Sequence, residues 1–215
     1  MRKLILRMQM SLDGYVAGPE GGVRWIFDSM DDGLIAWSVE TVSQAGLHIM
    51  GSKTFNDMVS YWPTSDEPIA APMNTIPKMV FSRTARTSIA AVGASTKALD
   101  DATGVRAARG RQAVPSGIPG AESWTDVPVR TGDLGQEIAR LKQQPGGGIL
   151  AHGGVSFAHS LVRTGLIDAY QLIVHPVALG AGRPLFTALG KPMRLRLLDA
   201  ITFGSGAVAH IYRPG

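Results

Sequence analysis

The stretch GGGILAHGGVSFAHSLVRTG, residues 146–165, decides how this chain is read. A short apolar run, Ile149–Leu150–Ala151, enters the pair Gly153–Gly154 and leaves through a helix-like segment closed by Gly165. A strand running through glycine directly into a helix is the repeating unit of an α/β sheet. Glycine at such a junction has two physical readings, a tight turn or the close approach of an anion to bare peptide N–H groups. A second junction, HIMGSKTF (48–55), repeats the arrangement, with Gly51 after a strand and Ser52, Lys53 and Thr54 opening a helix. If both strands run parallel, both helix starts open at one edge of the sheet, where α/β proteins bind ligands. VFSRT (80–84) ends a third strand in Ser82 and Arg83, a hydroxyl and a guanidinium suited to a phosphate monoester. The glycines are too few and wrongly spaced for a GxGxxG or Walker loop. The signal lies in the coincidence of the three junctions.

Outward from these junctions, the pattern predicts a single domain over residues 1–215. KLILRMQMSLDG reads as a strand entering a turn at Asp13–Gly14, followed by a glycine-rich loop over 14–24 that suits a lid. DDGLIAWSVETVSQAG predicts a helix, with Asp31 and Asp32 at its start. TGDLGQEIARLKQQPGG predicts another, capped by Thr131 or Asp133. DAYQLIVHPVAL reads as a long strand, and MRLRLLDAITFGSGAVAHIYRP as a hairpin turning near Gly204–Gly206. Residues 84–123 have no sustained period and read as an inserted loop or hairpin. The alternation predicts a mixed α/β sheet covered by helices, closed by an antiparallel pair.

Composition narrows the function. The 215 residues are 45% hydrophobic and 18% charged, a globular balance. The absence of cysteine removes disulfide and thiolate chemistry and suits a cytoplasmic location. Arg7 and Gln9 interrupt the N-terminal apolar run, so no signal peptide and no membrane span is expected. The formal net charge is only +4, and the basic residues lack interleaved aromatics, which argues against nucleic acid. The five histidines form no metal-ligand spacing.

The stretches KLILRMQMSLDGYVAGPEGGVRW, HIMGSKTFNDMVSYWP, KMVFSRT, ILAHGGVSFAHSLVRTGLIDAYQLIVHPVALGAGRPLF and AHIYRP, in that order, resemble the dihydrofolate reductase-like superfamily. More narrowly, they resemble the bacterial group related to the C-terminal reductase domain of the bifunctional riboflavin-biosynthesis protein. The resemblance implies a mixed, mostly parallel sheet of about eight strands with an antiparallel C-terminal edge. It implies an NADPH-dependent oxidoreductase acting on a small pterin-like or ribosylaminopyrimidine-like heterocycle, and a homodimer. The alternative is an NADP(H)-binding protein without turnover, possessing the cradle but no acid.

Residue by residue, the resemblance gives Gly51, Ser52, Lys53 and Thr54 to the cofactor's phosphates and Ser82 and Arg83 to the 2′-phosphate. Gly153, Gly154, Val155 and Ser156 fall on the pyrophosphate, and the backbone around Gln9 and Val16 on the carboxamide. Arginine often stands in the family where this chain has Ser52. Asp13 and Asp28 are the candidate acids. Asp13 also suits a plain turn former before Gly14. Trp25, Phe55 and Met58 are candidate substrate contacts, and core positions for Phe55 and Met58 are the competing reading.

Overall fold

The computed structural model describes residues 1–83, 96–110, 118–187 and 189–215. Its frame is an eight-stranded sheet built from β1 (Leu4–Ser11), β3 (Ala45–Gly51), β4 (Lys78–Phe81), β5 (Val129–Arg130), β6 (Gly148–His152), β7 (Ala169–His175), β9 (Leu195–Thr202) and β10 (Val208–Pro214). The order across the sheet is β5-β4-β3-β6-β1-β7-β10-β9. The first six are parallel, and β10 and β9 close the edge antiparallel. This is the expected fold: mixed, mostly parallel, with an antiparallel C-terminal edge. A two-stranded antiparallel ribbon, β2 (Tyr15–Ala17) with β8 (Arg183–Pro184), stands beside it.

Parallel strands covered on both faces need apolar residues at nearly every position, and β3 and β6 read that way. One face packs Leu4, Leu6, Ile49 and Ile149 against α6 (Leu134–Gln143) and α7 (Val155–Thr164), which contribute Ile138, Leu141 and Leu161. The opposite face meets α2 (Asp32–Ser43), α3 (Ser52–Tyr61) and α4 (Ala70–Thr75), with Val42, Phe55 and Met73 at the contact. Each of these side chains, fully buried, contributes on the order of 1.5–3 kcal/mol. The core lies on both faces, and polar residues within it are exceptions that call for a cause.

Within the stretch 84–123 the described residues include a helix. Residues 84–95 and 111–117 lie outside the described residues. Between them Thr96 accepts a hydrogen bond from the Leu99 N–H and starts α5 (Lys97–Ala108). A short helix, α1 (Arg24–Phe27), follows the glycine-rich loop, and Asp101 of α5 accepts hydrogen bonds from its leading N–H groups, Val23 (2.7 Å) and Arg24 (3.0 Å). Further on, Trp124 is buried against Phe55, and its indole N–H donates to Asn74 Oδ1 at 2.7 Å. Trp124 is therefore part of the core.

Candidate active site

The strand order reverses direction around β1, with β6 on one side and β7 on the other, and a cavity of about 410 Å³ opens there at the strands' carboxyl ends. Such a crevice is where open α/β sheets bind ligands. One wall is made by the two glycine junctions. Lys53 and Thr54 at the start of α3, and Gly153, Gly154 and Val155 at the start of α7, all line it. The Thr54 hydroxyl donates to the Gly153 carbonyl at 2.9 Å and ties one junction to the other.

Both helix starts are open. No side chain caps α3 or α7, whereas Asp31, Thr96 and Asp133 cap α2, α5 and α6. Uncapped starts leave N–H donors and the positive end of the helix dipole for an anion. The glycines have different reasons to be there. Gly154 has φ +97°, a conformation L-residues rarely take, and a Cβ on it would lie 2.5 Å from Thr54 Oγ1. Gly51 has an extended backbone, φ −77°, and its need is packing, since a Cβ would come 3.1 Å from Phe157 Cβ.

The floor is polar where the sheet should be apolar. His152 and Gln171 are the registered neighbours of Arg7 on either side, and Lys78 is the neighbour of His48. His152 Nε2 lies 2.7 Å from His48 Nδ1, with the rings stacked at 4.6 Å. A polar row thus crosses β4, β3, β6, β1 and β7, and Arg7 and His152 within it line the cavity. Burial, with Lys78 nearby, pushes His48 down to about 3. Burial and the neighbouring cationic groups push His152 well below the usual imidazole range. Both rings are neutral at physiological pH. Gln9, also on the cavity, sits 2.7 Å from His175 Nε2, and Ser29 Oγ holds the other ring nitrogen at 2.6 Å. Burial lowers His175 to about 4.

The remaining walls come from Val16 of β2, from Glu20 and Val23 in the loop after it, and from α5, with Lys97 and Leu99. Two carboxylates there had no signal in the linear sequence. Asp57 of α3 lines the cavity and accepts a hydrogen bond from Thr96 Oγ1 at 2.8 Å, and burial pushes its carboxyl above the usual range. Glu67 accepts the Tyr61 phenol proton at 2.5 Å. Burial, then this partner, raises the Tyr61 phenol. Helical spacing puts Lys53, Thr54, Asp57, Met58 and Tyr61 on one side of α3, but only the docked helix tells which side faces the cavity.

The expected site residues divide. Gln9, Val16, Lys53, Thr54, Met58, Gly153, Gly154 and Val155 share the cavity. Gly51, Ser52 and Ser156 stand at the helix starts, and Ser82 and Arg83 just beyond β4, without lining it. Phe55 is core: it is 1% exposed and packs on Trp124 rather than on the cavity. Trp25 also lies off the lining and meets His175 edge-on at 5.5 Å. Neither candidate acid reaches the cavity. Asp13 accepts from Ser11 Oγ (2.6 Å) and from the N–H groups of Leu179 (3.1 Å) and Gly180 (2.7 Å). These bonds hold its carboxyl below the usual range, so Asp13 ties a loop. Asp28 is exposed at the end of α1.

Two uncapped helix starts joined side by side, with Lys53 in the first turn of α3, fit a diphosphate, and the flanking cavity has room for a ring system. A family model described as RibD C-terminal domain matches residues 2–209. The chain belongs to the RibD C-terminal domain family. Within the wider set of relatives, the YyaP protein of Bacillus subtilis (strain 168) is 26% identical over 216 residues, covering 98% of this chain and 94% of that protein. RibD of Acinetobacter baumannii superposes with a TM-score of 0.62 at 18% identity, covering all of this chain and 58% of RibD. A pyrimidine reductase-like protein of Corynebacterium diphtheriae gives 0.61 at 13% identity, covering all of this chain and 92% of that one. At these identities the superpositions establish the fold alone.

Proposed function

We propose that the protein is an NADPH-dependent reductase that delivers hydride to a small heterocycle, pterin-like or ribosylaminopyrimidine-like. The observation that carries this reading is the pair of open helix starts, tied by the Thr54–Gly153 hydrogen bond, on the wall of one cavity. The N–H groups at the starts of α3 and α7, with Lys53, would hold the diphosphate. Ser82 and Arg83 would hold the 2′-phosphate, with Gln9 and Val16 beside the carboxamide. When bound, the nicotinamide supplies the hydride. The protein's part is to orient donor and acceptor and to exclude water. Val16 and Ala17 of β2 and Val23 of the loop after it, with Leu99 of α5, give the cavity apolar sides that would do so.

Asp57 is the carboxyl best suited to hold a proton there. It is half-buried, its carboxyl titrates above the usual range, and Thr96 Oγ1 fixes its orientation. Asp13 and Asp28 have no such position. Fluorescence titration with NADPH and NADH, followed by loss of absorbance at the reduced-nicotinamide band with pterins and pyrimidinones, tests the proposal. Saturable binding that favours NADPH, with oxidation by at least one heterocycle, is expected. Stoichiometric binding with no oxidation across the panel would favour the binding protein without turnover, and no binding of either nucleotide would end both readings.

A further inference from the structure

Among the described residues, nothing supplies a countercharge to the buried cation Arg7. It is 8% exposed, lies in the middle of β1 and lines the cavity. A guanidinium has five N–H donors. Three are used here: Nη1 donates to Thr41 Oγ1 (2.9 Å) and Gln171 Oε1 (3.4 Å), and Nη2 to Ser38 Oγ (2.6 Å). The plane sits over Trp37, 4.8 Å from the ring centroid. Every one of these partners is neutral. Among the described residues no carboxylate forms an ion pair with Arg7.

The surroundings add positive charge rather than remove it. Along the same row Lys78 is buried, its ammonium donating to the carbonyls of Asn74 and Ile76 and to Ser123 Oγ. His48 and His152 stand between the two cations as neutral rings. Of the carboxylates that line the cavity, Asp57 is engaged with Thr96 and Glu67 with Tyr61, and Glu20 is exposed and acts on Lys97. Burial lowers the Arg7 guanidinium only to about 10, so it stays charged at neutral pH. A buried charge held by neutral dipoles alone is strongly disfavoured unless an opposite charge joins it. Ser38, Thr41, Gln171 and Trp37 fix the guanidinium plane, so its orientation is set before any ligand arrives.

The geometry points to a negatively charged substrate, a heteroaromatic acid whose carboxylate seats on Arg7 at the floor of the cavity. The word substrate rests on the reductase reading above, whereas the preference for an anion does not. The carboxylate supplies the missing countercharge and accepts the remaining N–H donors, and Gln9 and His152 flank it as neutral hydrogen-bonding groups.

Calorimetric titration of the full chain with orotate and with orotamide, a pair differing only in acid against amide, tests the inference. Orotate is expected to bind about ten-fold or more tightly at neutral pH. Arg7→Gln, checked for folding by circular dichroism, should erase that ratio. Arg7→Lys, which retains the charge and loses the fork, should leave a reduced ratio and serves if Arg7→Gln does not fold. Equal affinities in the wild-type protein, binding of neither probe, or a full ratio surviving in a folded Arg7→Gln would each overturn the inference. Titration with NADPH in parallel keeps the two proposals apart. An acid preference without NADPH binding removes the reductase and leaves the anion site, and NADPH binding without an acid preference does the reverse.

Discussion

Among the described residues five helices run ten residues or more, and their starts are built in two ways. α2, α5 and α6 begin at Asp31, Thr96 and Asp133, whose side chains accept from Leu34, Leu99 and Gln136. α3 and α7 begin at glycine, with no side chain over their first N–H groups. A capping side chain contributes about 1 kcal/mol, so each open start forgoes that much stability. The two open starts lie side by side on the cavity. The other three are closed by their own side chains, α5 included, although its start also lines the cavity. Helices left open are the ones a ligand can close.

The hardest blow to this contrast is Gly154→Val. A β-branched residue at φ +97° is strained, and its Cβ would stand 2.5 Å from Thr54 Oγ1. Binding of NADPH and NADH should fall together by at least about 100-fold, or about 2.8 kcal/mol. Fluorescence titration reads this, with an unfolding midpoint to confirm a folded variant. Unchanged affinity would return Gly153–Gly154 to the role of a plain turn.

Arg83→Ala is a sharper and smaller test. Arg83 is exposed beyond β4, on the same side of the sheet as the α3 start. Loss of one charge-assisted contact to a 2′-phosphate should weaken NADPH about ten-fold and leave NADH within error. Equal losses for both nucleotides would take Arg83 off the 2′-phosphate.

Much of this was legible in the chain. Strand–glycine–helix junctions at 51 and 153–154 fixed the parallel part of the sheet, and the turn near Gly204–Gly206 fixed the antiparallel edge. What escaped shares one physical cause, dependence on partners distant in sequence. α5 carries few large apolar residues, and it is anchored by Asp101 reaching the N–H groups of Val23 and Arg24 about 77 positions away. Phe55 looks like a pocket wall next to Thr54, yet it turns to Trp124 across the opposite side of the helix. Arg7 reads as a mere break in an apolar run, and its meaning appears only when Ser38, Thr41 and Gln171 gather around it. Asp13, the most conspicuous acid in the sequence, is consumed by the 179–180 loop.

Thr54→Val tests whether the two open starts act as one unit. It removes the hydroxyl that joins α3 to the Gly153 carbonyl and changes little else in volume. A net hydrogen bond of about 1 kcal/mol predicts a loss of about five-fold for both nucleotides. If the junctions bind independently, the affinities will not move.

The smallest expected effect on the cofactor is none, and it belongs to a closed start. Asp133→Ala strips the cap from α6, whose start bears only its own Gln136 N–H on that side chain and lies outside the cavity lining. Stability should drop by about 1 kcal/mol, seen as a midpoint lowered by about 2–4 °C in a chain of this size. NADPH affinity should stay the same, because α6 packs on the sheet through Ile138 and Leu141 and reaches the cradle only through the core. Reading both quantities on one variant matters. A weaker cofactor together with the lower midpoint would mean that loosening any helix start loosens the site. The contrast between open and closed starts would then describe stability alone, and the cradle would need another explanation than the donors that α3 and α7 leave uncovered.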